Sequence, residues 1–123
     1  MRILIVNNTP SFSEKFSTRL HNPTYQIKIV PNSEEGLQYI RKVSADVVIS
    51  NIDETANVDN LEFMLNIKEL KPGLPVILIA PQLEESNSQS MIQAGAYACI
   101  DESISGDELI KLAQRAMKER IYA

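Results

Sequence analysis

The sequence predicts a three-layer α/β protein with a doubly wound (βα)5 parallel sheet. Two observations support this fold class. Short, continuously apolar runs recur along the chain, which is typical of strands that are covered on both faces. Between these runs, apolar residues recur every three or four positions, which is the helical period. A length of 123 residues suits one core, so we expect a single domain over residues 1–123.

Five segments are expected to form the strands. Four of them are apolar throughout and mostly β-branched, and we interpret them as central strands: residues 3–6, 47–49, 76–79 and, more weakly, 97–100. Residues 25–30 instead alternate apolar with polar side chains. That alternation indicates a strand near an edge of the sheet, with one face partly exposed to water.

The helical period predicts five helices, at residues 12–20, 37–40, 61–70, 84–94 and 109–116. Asp59 with Glu62 and Ser105 with Glu108 have the spacing of capping boxes, which mark helix starts. Gly95 suits the left-handed residue that ends a helix. Alternating strands and helices imply right-handed crossovers, and five such units suit the flavodoxin-like strand order 2-1-3-4-5.

Composition and charge narrow the function classes. The net charge of −4 provides no excess of cations for phosphate groups, so we expect no direct contact with nucleic acid. No apolar run approaches the ~20 residues that span a bilayer, and the short apolar N-terminus does not resemble a signal peptide. Cys99 is the single cysteine, and no Cys or His cluster has zinc-site spacing. We therefore expect a cytoplasmic protein with no membrane segment, no metal and no cofactor.

Ligands of doubly wound sheets bind beyond the carboxyl ends of the strands, where the strand order reverses. In this chain Asn7 and Asn8 follow the first predicted strand, and Asn51 follows the third. Clustered amides can donate and accept hydrogen bonds where clustered carboxylates would repel one another. We interpret them as a hydrogen-bonded network between the two loops. The alternative is that the uncharged cluster fixes one conformation of the protein permanently.

Five stretches carry a resemblance to a known family: ILIVNN (3–8), DVVISN (46–51), NLEFM (60–64), KPGLPVI (71–77) and QAGAY (93–97). In this order and spacing they resemble the receiver domain of bacterial response regulators, the proteins of two-component phosphorelay signalling. The likeness extends over nearly the whole chain. It implies the receiver variant of the flavodoxin-like fold.

The phosphorylation residues of that family are all replaced. The resemblance implies an acidic pair at Asn7 and Asn8, a phosphoacceptor aspartate at Asn51, a hydroxyl residue at Ala80 and a lysine at Glu102. Neutral amides are poor magnesium ligands, and a carboxamide is a much weaker nucleophile than a carboxylate. A carboxylate in place of the lysine would repel phosphoryl oxygens. We therefore expect a degenerate pseudo-receiver that is not an enzyme and that acts through protein contacts independently of phosphorylation.

Two other functions stay open at this point. Asp53 or Glu54, a few residues beyond Asn51, is an alternative phosphoacceptor or metal ligand, and Asp53 is the better candidate. Thr9, Ser11 and Ser13 have a hydroxyl spacing faintly like a flavodoxin phosphate loop, although its glycine is missing, so we favour an ordinary helix cap over a flavodoxin-like cofactor site.

The resemblance also implies the partners and the surface that binds them. The expected partner is a signalling protein, namely a histidine kinase, an effector or a fused output domain, or else a second copy in a homodimer. The candidate surface comprises the fourth predicted helix, the fifth strand and the fifth helix, around residues 84–120. On the fifth helix, Lys111, Arg115 and Lys118 are expected to face solvent, whereas Cys99 on the fifth strand is expected to pack in the core.

Overall fold

Five parallel strands form a single sheet in the computed structural model, which describes residues 1–7, 12, 14, 24–51, 57–80 and 85–122. The strands lie in the order β2-β1-β3-β4-β5, which confirms the predicted order. Their bounds are β1 Arg2–Val6, β2 Gln26–Val30, β3 Val47–Asn51, β4 Val76–Ala80 and β5 Ala98–Asp101. Each end lies within two residues of its sequence-based expectation.

Four helices are described, and they are numbered here in chain order: α1 Ser33–Lys42, α2 Asn57–Leu70, α3 Glu85–Gln93 and α4 Gly106–Tyr122. They correspond to the second to fifth predicted helices. The first predicted helix, at residues 12–20, lies outside the described residues apart from Phe12, which is buried, and Glu14, which is exposed.

The hydrophobic core lies on both faces of the sheet, which gives the predicted three layers. On one face, alternate strand residues such as Leu4, Val48 and Leu78 pack with Phe63 and Met64 of α2. On the other face, the intervening strand residues pack with α4: Ile3, Ile5, Ile49, Ile77, Leu109 and Ala113. Burial of both faces explains why the central strands are apolar throughout.

Side-chain hydrogen bonds cap the starts of two helices. Asn32 caps α1, because its side-chain oxygen accepts a hydrogen bond of 2.9 Å from the Glu35 backbone N–H. Ser105 caps α4 in the same way, with its Oγ 3.1 Å from the Glu108 nitrogen, as predicted. The φ of Gly95 is +120°, which confirms a residue of left-handed backbone after α3.

The predicted start of α2 is wrong. The helix begins at Asn57, so Asp59 is its third residue instead of its cap. Acidic residues are favoured throughout the first turn by the helix dipole as well as at the cap, so the residue type alone did not distinguish the two positions.

Candidate functional site

The carboxyl edge of the sheet brings together the strand ends that the sequence marked as the candidate site. β1 lies between β2 and β3, and Val6 of β1 pairs with Ser50 of β3. Asn51 pairs with Ile79 of β4, and Ala80 pairs with Asp101 of β5. The parallel register therefore places Asn7, Asn51, Ala80 and Glu102 along one edge. Neighbouring strands are about 4.8 Å apart, so Glu102 lies roughly 10 Å from Asn51 across the sheet.

A side-chain hydrogen bond joins the first two of these strand ends. The Asn51 Nδ2 donates to the Asn7 Oδ1 across 2.9 Å. Asn7 is only 6% exposed, and its backbone N–H donates to the Val30 carbonyl of β2 across 2.9 Å. This contact confirms the predicted hydrogen bonding of the amides for the Asn7–Asn51 pair and ties three strand ends together.

Two polar atoms at the end of β3 are buried without a partner among the described residues. They are the second amide atom of Asn51, Oδ1, and the Oγ of Ser50, a residue that is only 1% exposed. A buried acceptor that lacks a donor costs about 1–3 kcal/mol. The Asn51 side chain therefore stabilises the site through the hydrogen bond of its Nδ2 and destabilises it through its buried Oδ1.

Carboxylates, and no cation, follow the end of β5. The Asp101 Oδ1 accepts a hydrogen bond of 2.9 Å from the Ser103 backbone N–H, and the Asp101 carbonyl accepts one of 3.2 Å from the Ile104 nitrogen. This turn holds Glu102 at the edge of the sheet, beside Asp101. Among the described strand ends of this edge, these two side chains carry the only formal charges, and both charges are negative.

The described residues of this edge do not fit the magnesium ion that the receiver resemblance implies. Magnesium is held by carboxylates and water in octahedral geometry, whereas Asn7 and Asn51 contribute neutral amides that are bonded to each other. Among the described residues, no group of three or more His, Cys, Asp or Glu side chains could hold a metal ion. Asn8, Asp53 and the hydroxyl residues Thr9, Ser11 and Ser13 all lie outside the described residues.

The fold and the position of this edge define a doubly wound protein of the flavodoxin-like class. More narrowly, the chain belongs to the response regulator receiver domain family, whose sequence model matches residues 3–114.

Several relatives are larger regulatory proteins. The chain is 21% identical over 117 residues to the transcriptional regulatory protein GlrR of Escherichia coli, a match that covers 95% of this chain and 26% of that protein. It is 25% identical over 117 residues to the nitrogen assimilation regulatory protein NtrX of Azorhizobium caulinodans, a match that covers 94% of this chain and 26% of that protein. It is also 25% identical over 124 residues to the sensor histidine kinase RcsC of Escherichia coli, covering 98% and 13%. The chain thus spans about a quarter or less of these relatives.

Solved structures of receiver domains superpose on nearly the whole chain. The beryllofluoride-activated NtrC4 receiver domain dimer aligns with a TM-score of 0.85 at 22% identity, covering 97% of this chain and 98% of that one. The CheY-like receiver domain protein of Methanospirillum hungatei aligns with a TM-score of 0.83 at 22% identity, covering 98% and 96%. At these identities the likeness shows the fold alone.

The predicted interaction surface comprises α3, β5 and α4. It exposes Ile92 of α3, of which 44% is accessible, together with Lys111, Arg115 and Lys118 of α4. Cys99 of β5 is buried in the core, as predicted. None of the described helices is both long enough and apolar enough to cross a membrane.

Proposed function

We propose that this receiver domain is a pseudo-receiver, a protein-interaction module of two-component signalling that works without phosphorylation. The observation that carries the proposal is the hydrogen bond between Asn51 and Asn7. It occupies the two positions at which the receiver resemblance places a phosphoacceptor and one of its acidic neighbours.

The chemistry of these two side chains supports the proposal. Phosphoryl transfer to a carboxylate requires an anionic oxygen that can attack phosphorus, and a carboxamide oxygen is a far weaker nucleophile. The Asn51 Nδ2 is also engaged with Asn7, so this side chain is held by a neutral hydrogen bond. Neither residue contributes the negative charge that attracts a divalent cation.

The charge at the end of β5 supports it as well. The developing charge on a transferring phosphoryl group is stabilised by cations placed beside it. Here Asp101, the last residue of β5, and Glu102, which follows it, lie at the same edge. An incoming phosphate dianion would therefore meet like charge where the family has a lysine.

We further propose that the module binds its partner through the surface of α3, β5 and α4. Ile92 provides an exposed apolar side chain on α3, and α4 contributes exposed basic side chains. The NtrC4 receiver, which has the same fold, forms a dimer. The proposed partner is a histidine kinase, an effector, a fused output domain or a second copy of the chain. A single buried cysteine is compatible with a protein that works in the reducing cytoplasm.

The test of phosphorylation is intact-mass spectrometry after incubation with magnesium and acetyl phosphate. The wild-type chain, Asp53→Asn and the control Glu69→Gln, which alters an exposed carboxylate of α2, are measured in parallel. The proposal expects unchanged masses for all three. A phosphoryl adduct on the wild type and the control that is absent from Asp53→Asn would overturn it and identify Asp53 as the acceptor.

The test of the surface compares two apolar residues of similar exposure. Ile92→Glu alters the proposed surface, whereas Leu65→Glu alters α2, where Leu65 is 50% accessible. Sedimentation velocity on the unphosphorylated chain, alone and with a candidate kinase or effector, measures the association. We expect Ile92→Glu to weaken it at least tenfold and Leu65→Glu to leave it unchanged. Equal effects of the two variants would refute the proposed surface.

A further inference from the structure

A cavity of about 300 Å³ opens at the edge of the sheet opposite to the candidate site. It lies where β4 and β5 begin, and strands of four or five residues separate it from the carboxyl edge by roughly 15 Å. Four segments form its walls: the end of α2, the turn that follows it, the residues before β5 and the second half of α4. The residues used below are Lys68, Pro72, Pro75, Gly95, Tyr97 and Glu119.

Lys68 is held in this cavity by contacts at both ends of its side chain. Its Nζ donates to the Leu74 backbone carbonyl across 2.9 Å. Its aliphatic part lies against Gly95, where an added Cβ would be 3.3 Å from the Lys68 Cε. The ammonium group is therefore positioned instead of extending freely into solvent.

The charge of Lys68 is not neutralised by any carboxylate among the described residues. Its one hydrogen-bond acceptor there is the neutral Leu74 carbonyl. Burial lowers the pKa of Lys68, which means that the protonated amine lacks full compensation for the water it has lost. A ligand that carries a negative charge would supply that compensation.

The opposite wall of the cavity limits which anion can enter. The Glu119 carboxylate beside the Tyr97 hydroxyl raises the pKa of Tyr97. A dianion such as phosphate would place a second negative charge near the Glu119 carboxylate. The rest of the lining is mostly apolar and includes the pyrrolidine rings of Pro72 and Pro75, and Tyr97 adds an aromatic ring. A volume of about 300 Å³ is at the lower end of the range for small-molecule sites.

We propose that this cavity is a binding site for a small aromatic monocarboxylate. The ligand carboxylate pairs with the Lys68 ammonium, and its ring lies against Pro72, Pro75 and Tyr97. The site is separate from the carboxyl edge, so it does not depend on whether the domain is phosphorylated.

The experiment is a titration followed by ¹H–¹⁵N NMR, with the amide signals of Gly73 and Gly95, which line the cavity, as reporters. The probes are benzoate, its uncharged analogue benzamide, and inorganic phosphate. We expect benzoate to shift both signals saturably, with a dissociation constant of about 1 mM or tighter. Benzamide and phosphate should bind at least about tenfold more weakly, because benzamide lacks the negative charge that pairs with Lys68 and phosphate lacks the aromatic ring.

Two lysine variants test the role assigned to Lys68. Lys68→Met keeps the aliphatic contact with Gly95 and removes the charge. It should lower the affinity for benzoate at least about tenfold. Lys71→Met removes an exposed lysine three residues away and should bind as the wild type does. Lys68→Arg, which retains the charge, serves if Lys68→Met unfolds. The proposal is wrong if benzoate causes no saturable shift, if benzamide binds equally well, or if a folded Lys68→Met retains wild-type affinity.

Discussion

The hydrogen bond between Asn51 and Asn7 predicts unequal effects of alanine substitution at its two ends. In Asn7→Ala the Asn51 Nδ2 loses its acceptor, while the Asn51 Oδ1 stays buried with no donor from the part of the chain that the structure describes. A newly unsatisfied buried donor costs about 1–3 kcal/mol. In Asn51→Ala the Asn7 side chain loses this one hydrogen bond, which costs no more than about 1–3 kcal/mol, while the Asn51 Oδ1, which has no donor among the described residues, is removed, and this returns about the same amount. The two terms nearly cancel.

We therefore expect Asn7→Ala to be less stable than Asn51→Ala by about 1–3 kcal/mol, with Asn51→Ala within about 1 kcal/mol of the wild type. The loss of side-chain volume is the same in both variants and cancels in the comparison. Because the chain contains no tryptophan, urea unfolding is followed by circular dichroism, and stability is compared at a common denaturant slope.

The double variant makes the reasoning easy to refute. Adding Asn51→Ala to Asn7→Ala removes both unsatisfied atoms of Asn51, so the double variant should be more stable than Asn7→Ala alone. Such a gain on removal of a second side chain is a non-additive coupling between contacting residues. Equal losses in the two single variants, or a double variant whose loss is their sum, would show that the Asn51 Oδ1 is not a buried unsatisfied atom.

Three further predictions concern packing, capping and pH. Gly36→Ala should destabilise the fold by up to about 2 kcal/mol in thermal unfolding, because the new Cβ would lie 3.0 Å from the stiff, buried Val6 side chain. The overpacking cost of about 1–3 kcal/mol exceeds the gain in helix propensity of about 1 kcal/mol, and an unchanged or raised Tm would contradict this. Ser105→Ala should cost about 1 kcal/mol in urea unfolding by removing the α4 cap, and Ser105→Gly should cost less; equal stability of Ser105→Ala and wild type would argue against the cap. The pKa of Tyr97 is raised above 10.0 by its contact with Glu119, so the folded state keeps a proton that the unfolded state releases. The free energy of unfolding should therefore fall as the pH rises from 10.0 through the raised pKa. Tyr97→Phe should show a smaller alkaline loss than wild type, and matching pH profiles would disprove the contact.

Local composition was enough to predict the sheet. The runs at residues 3–6 and 76–79 are apolar at every position because both faces of the sheet are covered, and this leaves a signal in the sequence of each strand. The cap at Asn32 was missed, although Asn32 with Glu35 three residues later has the spacing of a capping box. The start of α2 was misplaced, because an acidic residue suits either the cap or the first turn.

The candidate site was predictable only in part. The parallel topology was sufficient to bring Asn7 and Asn51 to one edge, so their contact followed from the strand order. That the Asn51 Oδ1 has no partner among the described residues could not be predicted, because this depends on which atoms surround one side-chain oxygen after folding. The Lys68 cavity was also missed, since its walls come from residues 68–75, 95–97 and 116–119, three stretches that are distant in sequence and carry no common motif.

The amide pair at the carboxyl edge also determines how this part of the domain responds to its surroundings. Neither Asn7 nor Asn51 titrates, and their contact carries no net charge. A carboxylate pair in the same place would repel at neutral pH, and its strength would vary with acidity, ionic strength and the supply of divalent cations. The Asn7–Asn51 hydrogen bond is therefore indifferent to all three conditions, whereas an acidic pair in the same place would respond to each of them.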